Sequence, residues 1–125
     1  MVYFLLADGF EETEAIVPID ILRRAGFDVK TVSFSDGLFV TGNHNITVKC
    51  DINLKDGDFS DITAVVMPGG MPGADNLDKE PKTDEILKSA KGKNAVMAAI
   101  CAAPMILGKR GYLEGKKATC YQGFE

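Results

Sequence analysis

A chain of 125 residues, 46% hydrophobic and 26% charged, builds one compact globular domain and excludes a disordered or fibrous class. Its formal net charge of -4 and the absence of any basic stripe exclude nucleic acid and an anionic membrane as partners. Three cysteines and one histidine without regular spacing exclude a disulfide framework and predict no metal site, so the thiols are read as free and the compartment as cytoplasmic.

The apolar start, Val2 to Ala7, lacks polar alternation, as expected of a strand buried on both faces. It is too short for a signal-peptide core or for the ~20 residues of a membrane helix. After the turn at Asp8-Gly9, a helix is predicted from about Glu11 to Ala25, with Ala15, Ile19, Leu22 and Ala25 at helical spacing, Pro18 kinking it and Gly26 ending it. Phe27–Phe34 reads as a second strand, and Leu38–Thr41 with Ile46–Cys50 as a hairpin around Gly42-Asn43-His44-Asn45. Ile62–Met67 is a buried strand ended by Pro68-Gly69-Gly70. Pro81 opens a helix through about Lys91, and Ala95–Ile100 is a further buried strand that passes directly into a helix from Ala103 to about Lys109. Strands and helices alternating at these lengths predict a mostly parallel sheet with helices on both faces. In such sheets functional groups gather at the carboxyl ends of the strands, which brings Asp8–Glu14, Pro68–Gly73 and Ile100–Pro104 together.

Three features in those segments carry chemistry. Cys101 lies at a strand-to-helix junction with small residues, Ala99 and Ala103, two positions to either side, the arrangement of a nucleophile elbow. Backbone N–H groups just beyond it and the helix dipole would favour the thiolate, although a small buried cysteine that merely packs fits the same segment. Glu14 borders the apolar face of the first helix and can project over the sheet edge, with Glu11 and Glu12 expected to stay wet. A carboxylic acid there would have a raised pKa and could share a proton with the sulfur. Gly69-Gly70 permits close approach of backbone N–H groups, as in an oxyanion hole, or is an ordinary glycine-rich turn. His44 falls in a polar hairpin turn, which leaves a cysteine–histidine triad without its histidine and disfavours a peptidase or a glutamine amidotransferase.

These segments together resemble the ThiJ/PfpI family, also called the DJ-one superfamily. The resemblance is carried by Leu5 to Glu14, Pro18 to Gly26, Val66-Met67-Pro68-Gly69-Gly70 and Ala98 to Pro104, and covers essentially the whole chain. It implies a flavodoxin-like three-layer α/β sandwich over residues 1–125. By position it makes Cys101 the reactive cysteine, Glu14 its partner acid, and Gly70 and Ala102 the residues whose N–H groups line an oxyanion pocket, with Gly69 beside them. It also implies a homodimer and glyoxalase-type or deglycase-type action on small carbonyl compounds in stress protection; the sequence carries no cofactor-binding signature, and no cofactor is expected. Redox sensing by oxidation of Cys101, without turnover, is the alternative it leaves open. Two departures stand out. Tyr121 takes the place where many relatives carry a histidine, and the chain stops at Glu125 where the family continues. The latter predicts a fragment, or a separate C-terminal piece that completes the sheet.

Overall fold

The structure, a computed structural model, describes residues 1–125. Its centre is β1 (Val2–Leu6), buried at every position. Side chains alternate across a strand, and β1 uses both directions: Tyr3 and Leu5 join one apolar cluster, Val2, Phe4 and Leu6 the other. A strand buried on both faces needs no polar alternation, which is why the opening residues read as a continuous apolar run. Parallel partners flank it, β2 (Val29–Ser33) on one side and β6 (Ala64–Met67) on the other, with Val2 opposite Val29 and Ala64. Beyond these lie β5 (Ile52–Asn53), paired to β2, and β7 (Val96–Ala99), paired to β6, giving the order β5-β2-β1-β6-β7 with every pairing parallel. This is the flavodoxin-like α/β class. No helix is long and apolar enough to cross a membrane.

The larger cluster packs Leu5, Val65 and Met67 of the sheet against Leu77 of α2 (Gly73–Lys79), Ile86 and Leu87 of α3 (Pro81–Gly92) and Ile106 of α4 (Pro104–Lys109). The smaller one packs the opposite sheet face against Ala15 and Ile19 of α1 (Glu12–Arg24) and against Val40 of the hairpin β3 (Phe39–Thr41) and β4 (Thr47–Lys49). Helix α1 runs unbroken through Pro18. It ends in a Schellman arrangement, Gly26 at φ +88 and the N–H groups of Gly26 and Phe27 donating to the carbonyls of Arg23 and Leu22.

Two expectations change. β7 is not a fully buried strand: it occupies the sheet edge, with Val96 64% exposed and the rest half-buried. Nor does it pass directly into a helix, because Ile100 to Ala103 intervene before α4 begins. Helix α2 and the short β5 were not anticipated. The order β5-β2-β1-β6-β7 places a switch point between β1, whose chain leaves toward β2, and β6, whose chain leaves toward β7. In sheets of this kind functional groups gather at the carboxyl ends of the strands that flank the switch point.

Candidate active site

Three chain segments meet at the carboxyl ends of β1, β6 and β7. The loop after β1 is held there by the Glu11 N–H, which donates to the Gly69 carbonyl at 2.9 Å, and by the Asn76 side-chain amide, which donates to the Asp8 carbonyl at 2.9 Å. Glu11 is the N-cap of α1: its Oε2 accepts from the Glu14 N–H at 2.8 Å. The first helical turn is thereby fixed, and it aims Glu14 across the sheet edge toward the turn that follows β7.

Cys101 occupies that turn at φ +62, a left-handed conformation that residues with a β-carbon adopt at a cost of about 1–2 kcal/mol. Its backbone is held from two sides: the Ala103 N–H donates to the Ile100 carbonyl at 3.0 Å, and the Tyr121 N–H to the Cys101 carbonyl at 2.7 Å. Strain maintained by surrounding bonds is a mark of functional turns. Gly69 explains why the pair can meet at all. A β-carbon on it would lie 2.6 Å from the Cys101 Cβ, 2.9 Å from the Ile100 carbonyl oxygen and 3.0 Å from Glu14 Oε1. Residue 69 is glycine because it lies between the thiol and the acid.

Burial, and then the negative charge of Glu11, raise the Glu14 carboxyl above its ordinary range, against the lowering effects of the Cys101 thiol and the Gly69 N–H. Glu14 Oε2 is buried with no hydrogen-bond partner. The Cys101 thiol is likewise pushed up, by burial first and the Glu14 charge second, while the N–H groups of Ala102 and Gly70 favour the thiolate. The N–H groups thus oppose the upward shift without reversing it. The influence is one-sided: the thiol eases ionisation of Glu14, whereas the Glu14 charge opposes ionisation of Cys101, so the two titrate as a coupled unit whose last proton is hard to remove. The helix dipole contributes little, since α4 has six residues and its N-cap is Ala103 rather than Cys101.

The residues singled out in the sequence are thus brought together: Cys101, Glu14, Gly69, Gly70 and Ala102 form one constellation. Gly69 differs in role from the expectation, its N–H serving the Glu14 carboxyl rather than the sulfur. Glu12 differs in kind. It was expected in water, yet it is 6% exposed. Its Oε2 accepts from the His44 and Ile46 N–H groups at 2.8 and 3.2 Å, and its Oε1 lies 3.0 Å from His44 Nδ1. Burial alone would raise this carboxyl, but the His44 ring and the hairpin N–H groups hold it below the ordinary range. Glu11, Glu12 and His44 present three potential ligand atoms within 4.8 Å of one another, the one grouping that could hold a cation, and one that residue spacing did not reveal. A cavity of about 710 Å³ lies elsewhere, between α4 and the segment from Ala118 to Glu125, and neither Cys101 nor Glu14 lines it.

A family model described as the DJ-1/PfpI family matches residues 1–125. The chain belongs to the DJ-1/PfpI family. Among its relatives, Protein DJ-1 homolog B of Arabidopsis thaliana is 39% identical over 95% of this chain and 27% of the plant protein. Deglycase PfpI of Pyrococcus furiosus is 34% identical over 98% of this chain and 72% of the archaeal protein. The solved structure of oxidized Toxoplasma gondii DJ-1 superposes with a TM-score of 0.90 at 36% identity, covering 98% of this chain and 67% of that one. The chain spans less than two thirds of the length of its plant and animal DJ-1 relatives. Membership of the DJ-1/PfpI family accounts for the parallel sheet and for the elbow that carries Cys101.

Proposed function

We propose that this protein converts small reactive carbonyl compounds by covalent catalysis at Cys101. The carrying observation is the pairing of the Cys101 thiol with the buried Glu14 carboxyl beneath the N–H groups of Gly70 and Ala102. With an α-oxoaldehyde such as methylglyoxal, the proton shared by the pair leaves the sulfur, and the sulfur adds to the aldehyde carbon. The C–S bond forms as the carbonyl π electrons move to oxygen, where the two N–H groups offset the negative charge. The proton of the pair passes to that oxygen, and the freed Glu14 carboxylate takes the proton from the former aldehyde carbon and delivers it to the neighbouring carbonyl carbon, while the hydroxyl proton moves from the first oxygen to the second, giving a thioester of the hydroxy acid. Water cleaves the thioester, releasing the hydroxy acid and restoring the thiol. At a hemiaminal carbon, which has no carbonyl π bond, the sulfur would instead displace the amine: the C–N bond breaks as the C–S bond forms and the proton of the pair passes to the departing nitrogen, giving the same hemithioacetal, in keeping with relatives named deglycases.

Methylglyoxal consumption by wild type, Cys101→Ser and Glu14→Gln tests this reading. Turnover by wild type, lost in Cys101→Ser at unchanged thermal stability, is the expected result. Full activity in Cys101→Ser would overturn it.

Oxidation of Cys101 without turnover is the second reading. It is favoured by the partial exposure of the residue and by the close superposition on a relative solved in an oxidized form. Peroxide that adds oxygen to Cys101, with no carbonyl consumed, is the outcome that selects it.

A further inference from the structure

The hairpin β3–β4 lies outside the parallel sheet, yet it is joined to the loop that carries the acid by a continuous series of hydrogen bonds. The Gly9 N–H donates to the Thr41 carbonyl at 2.8 Å, the Thr41 N–H to Asp8 Oδ1 at 3.0 Å, and the Asn43 N–H to the Phe10 carbonyl at 2.8 Å. The series ends on Glu12, whose carboxylate takes both hairpin N–H groups and the His44 ring. Gly42 closes over it: a β-carbon there would lie 2.3 Å from Glu12 Cδ. Glu12 and Glu14 share the first turn of α1, one side chain gripped by the hairpin and the other set against Cys101.

A buried, ionised carboxylate is costly to place, and an N-cap does not require one: Glu11 already supplies the cap. We infer that Glu12 is a positioning residue, which uses its grip on the hairpin at His44 and Ile46 to hold the first turn of α1 so that Glu14 meets Cys101. Its influence on the thiol passes through Glu14 and not through its own charge. The inference rests on the Cys101–Glu14 pair acting as described under the proposed function.

The pH dependence of Cys101 alkylation by iodoacetamide, read at that residue by peptide mass spectrometry in the full chain, tests it alongside methylglyoxal turnover. Glu12→Ala is expected to give the pH profile of Glu14→Gln and to lose turnover on the order of tenfold, as small misplacements of a reacting group do. Gly42→Ala, which retains the Glu12 carboxylate but pushes it aside, is expected to do the same and decides the matter if Glu12→Ala does not fold. Glu12→Gln keeps an acceptor for the hairpin N–H groups and retains the wild-type profile. In a Glu14→Gln background, Glu12→Ala adds nothing, whereas a merely structural role gives additive losses. A wild-type profile in both Glu12→Ala and Gly42→Ala, or additivity in the double variant, overturns the inference while leaving the pair intact. A wild-type profile in Glu14→Gln overturns the pair itself, and this inference with it.

Discussion

The amide N–H of Tyr121 donates to the carbonyl oxygen of Cys101 at 2.7 Å, so the strained turn is held by a residue twenty positions further on through its backbone alone. The side chain, 62% exposed, takes no part in that bond. Tyr121→Ala is therefore expected to leave Cys101 alkylation unchanged. Tyr121→Pro, which deletes the donor, is expected to lower stability by about 1–3 kcal/mol and to alter Cys101 reactivity. Denaturant unfolding and thiol kinetics on the two variants check this, and equal effects from both would refute it.

The three cysteines are expected to react in two classes. Cys50 is 2% exposed, and burial, with a smaller contribution from the Asp51 charge, pushes its thiol up to about 11 despite the bond to Thr31. Cys101 and Cys120 are partly exposed. Alkylation at pH 8 followed by peptide mapping should label the latter two and leave Cys50 unlabelled until denaturant is added. Early labelling of Cys50 would contradict the packing of the smaller core cluster.

Removing the Glu14 charge has a definite sign. The carboxylate raises the Cys101 thiol because it opposes a second negative charge beside it. Glu14→Gln is accordingly expected to move the midpoint of Cys101 alkylation downward in pH while abolishing the proton transfer on which turnover depends. A faster-alkylating but inactive variant is the predicted signature. An upward shift would mean that Glu14 acts mainly as a proton donor to the sulfur.

Arg110 ties α4 to α2 and α3. Its guanidinium donates to Asp78 Oδ1 at 2.7 Å and to the Asp78 carbonyl at 3.0 Å, and it also pairs with Asp84. Burial alone would raise the Asp78 carboxyl, but hydrogen bonds from Lys109 and Arg110 hold it below its ordinary value. A depressed carboxyl contributes stability above its unfolded pKa, near 3.9, and that contribution fades as pH falls through the folded value. Arg110→Met is expected to cost on the order of 2–3 kcal/mol at pH 7, less than the ~3–5 of a fully buried pair because both groups retain some exposure. The variant should also lose less stability than wild type on acidification below about pH 4. Urea unfolding at several pH values measures both effects.

What could be read from the chain follows from the range over which each feature is encoded. The strand at Val2–Leu6 and the helix after Pro81 are written in local apolar periodicity, and both appear where expected. That Cys101 and Glu14 fall at one sheet edge was legible because a junction of small residues and a border position on a helix face are also local. Helix α2 was not, since it begins at Gly73 after a glycine- and proline-rich turn with no side-chain cap to announce it. The burial of Glu12 depends on a hairpin 32 residues away. Periodicity along α1 reports its sheet-facing side and is silent about an element that closes over its first turn. The edge position of β7 escaped notice for a related reason: an apolar run records what lies above and below a strand, not what lies beside it.

Cys101 carries a further implication. Glycine at φ +62 would escape the penalty borne by a β-carbon, so the elbow would be more stable with its side chain deleted. Against a typical folding margin of 5–15 kcal/mol, a penalty of about 1–2 kcal/mol is appreciable. The wild-type fold therefore stands below the stability its own backbone permits, and the shortfall is localised on a single β-carbon.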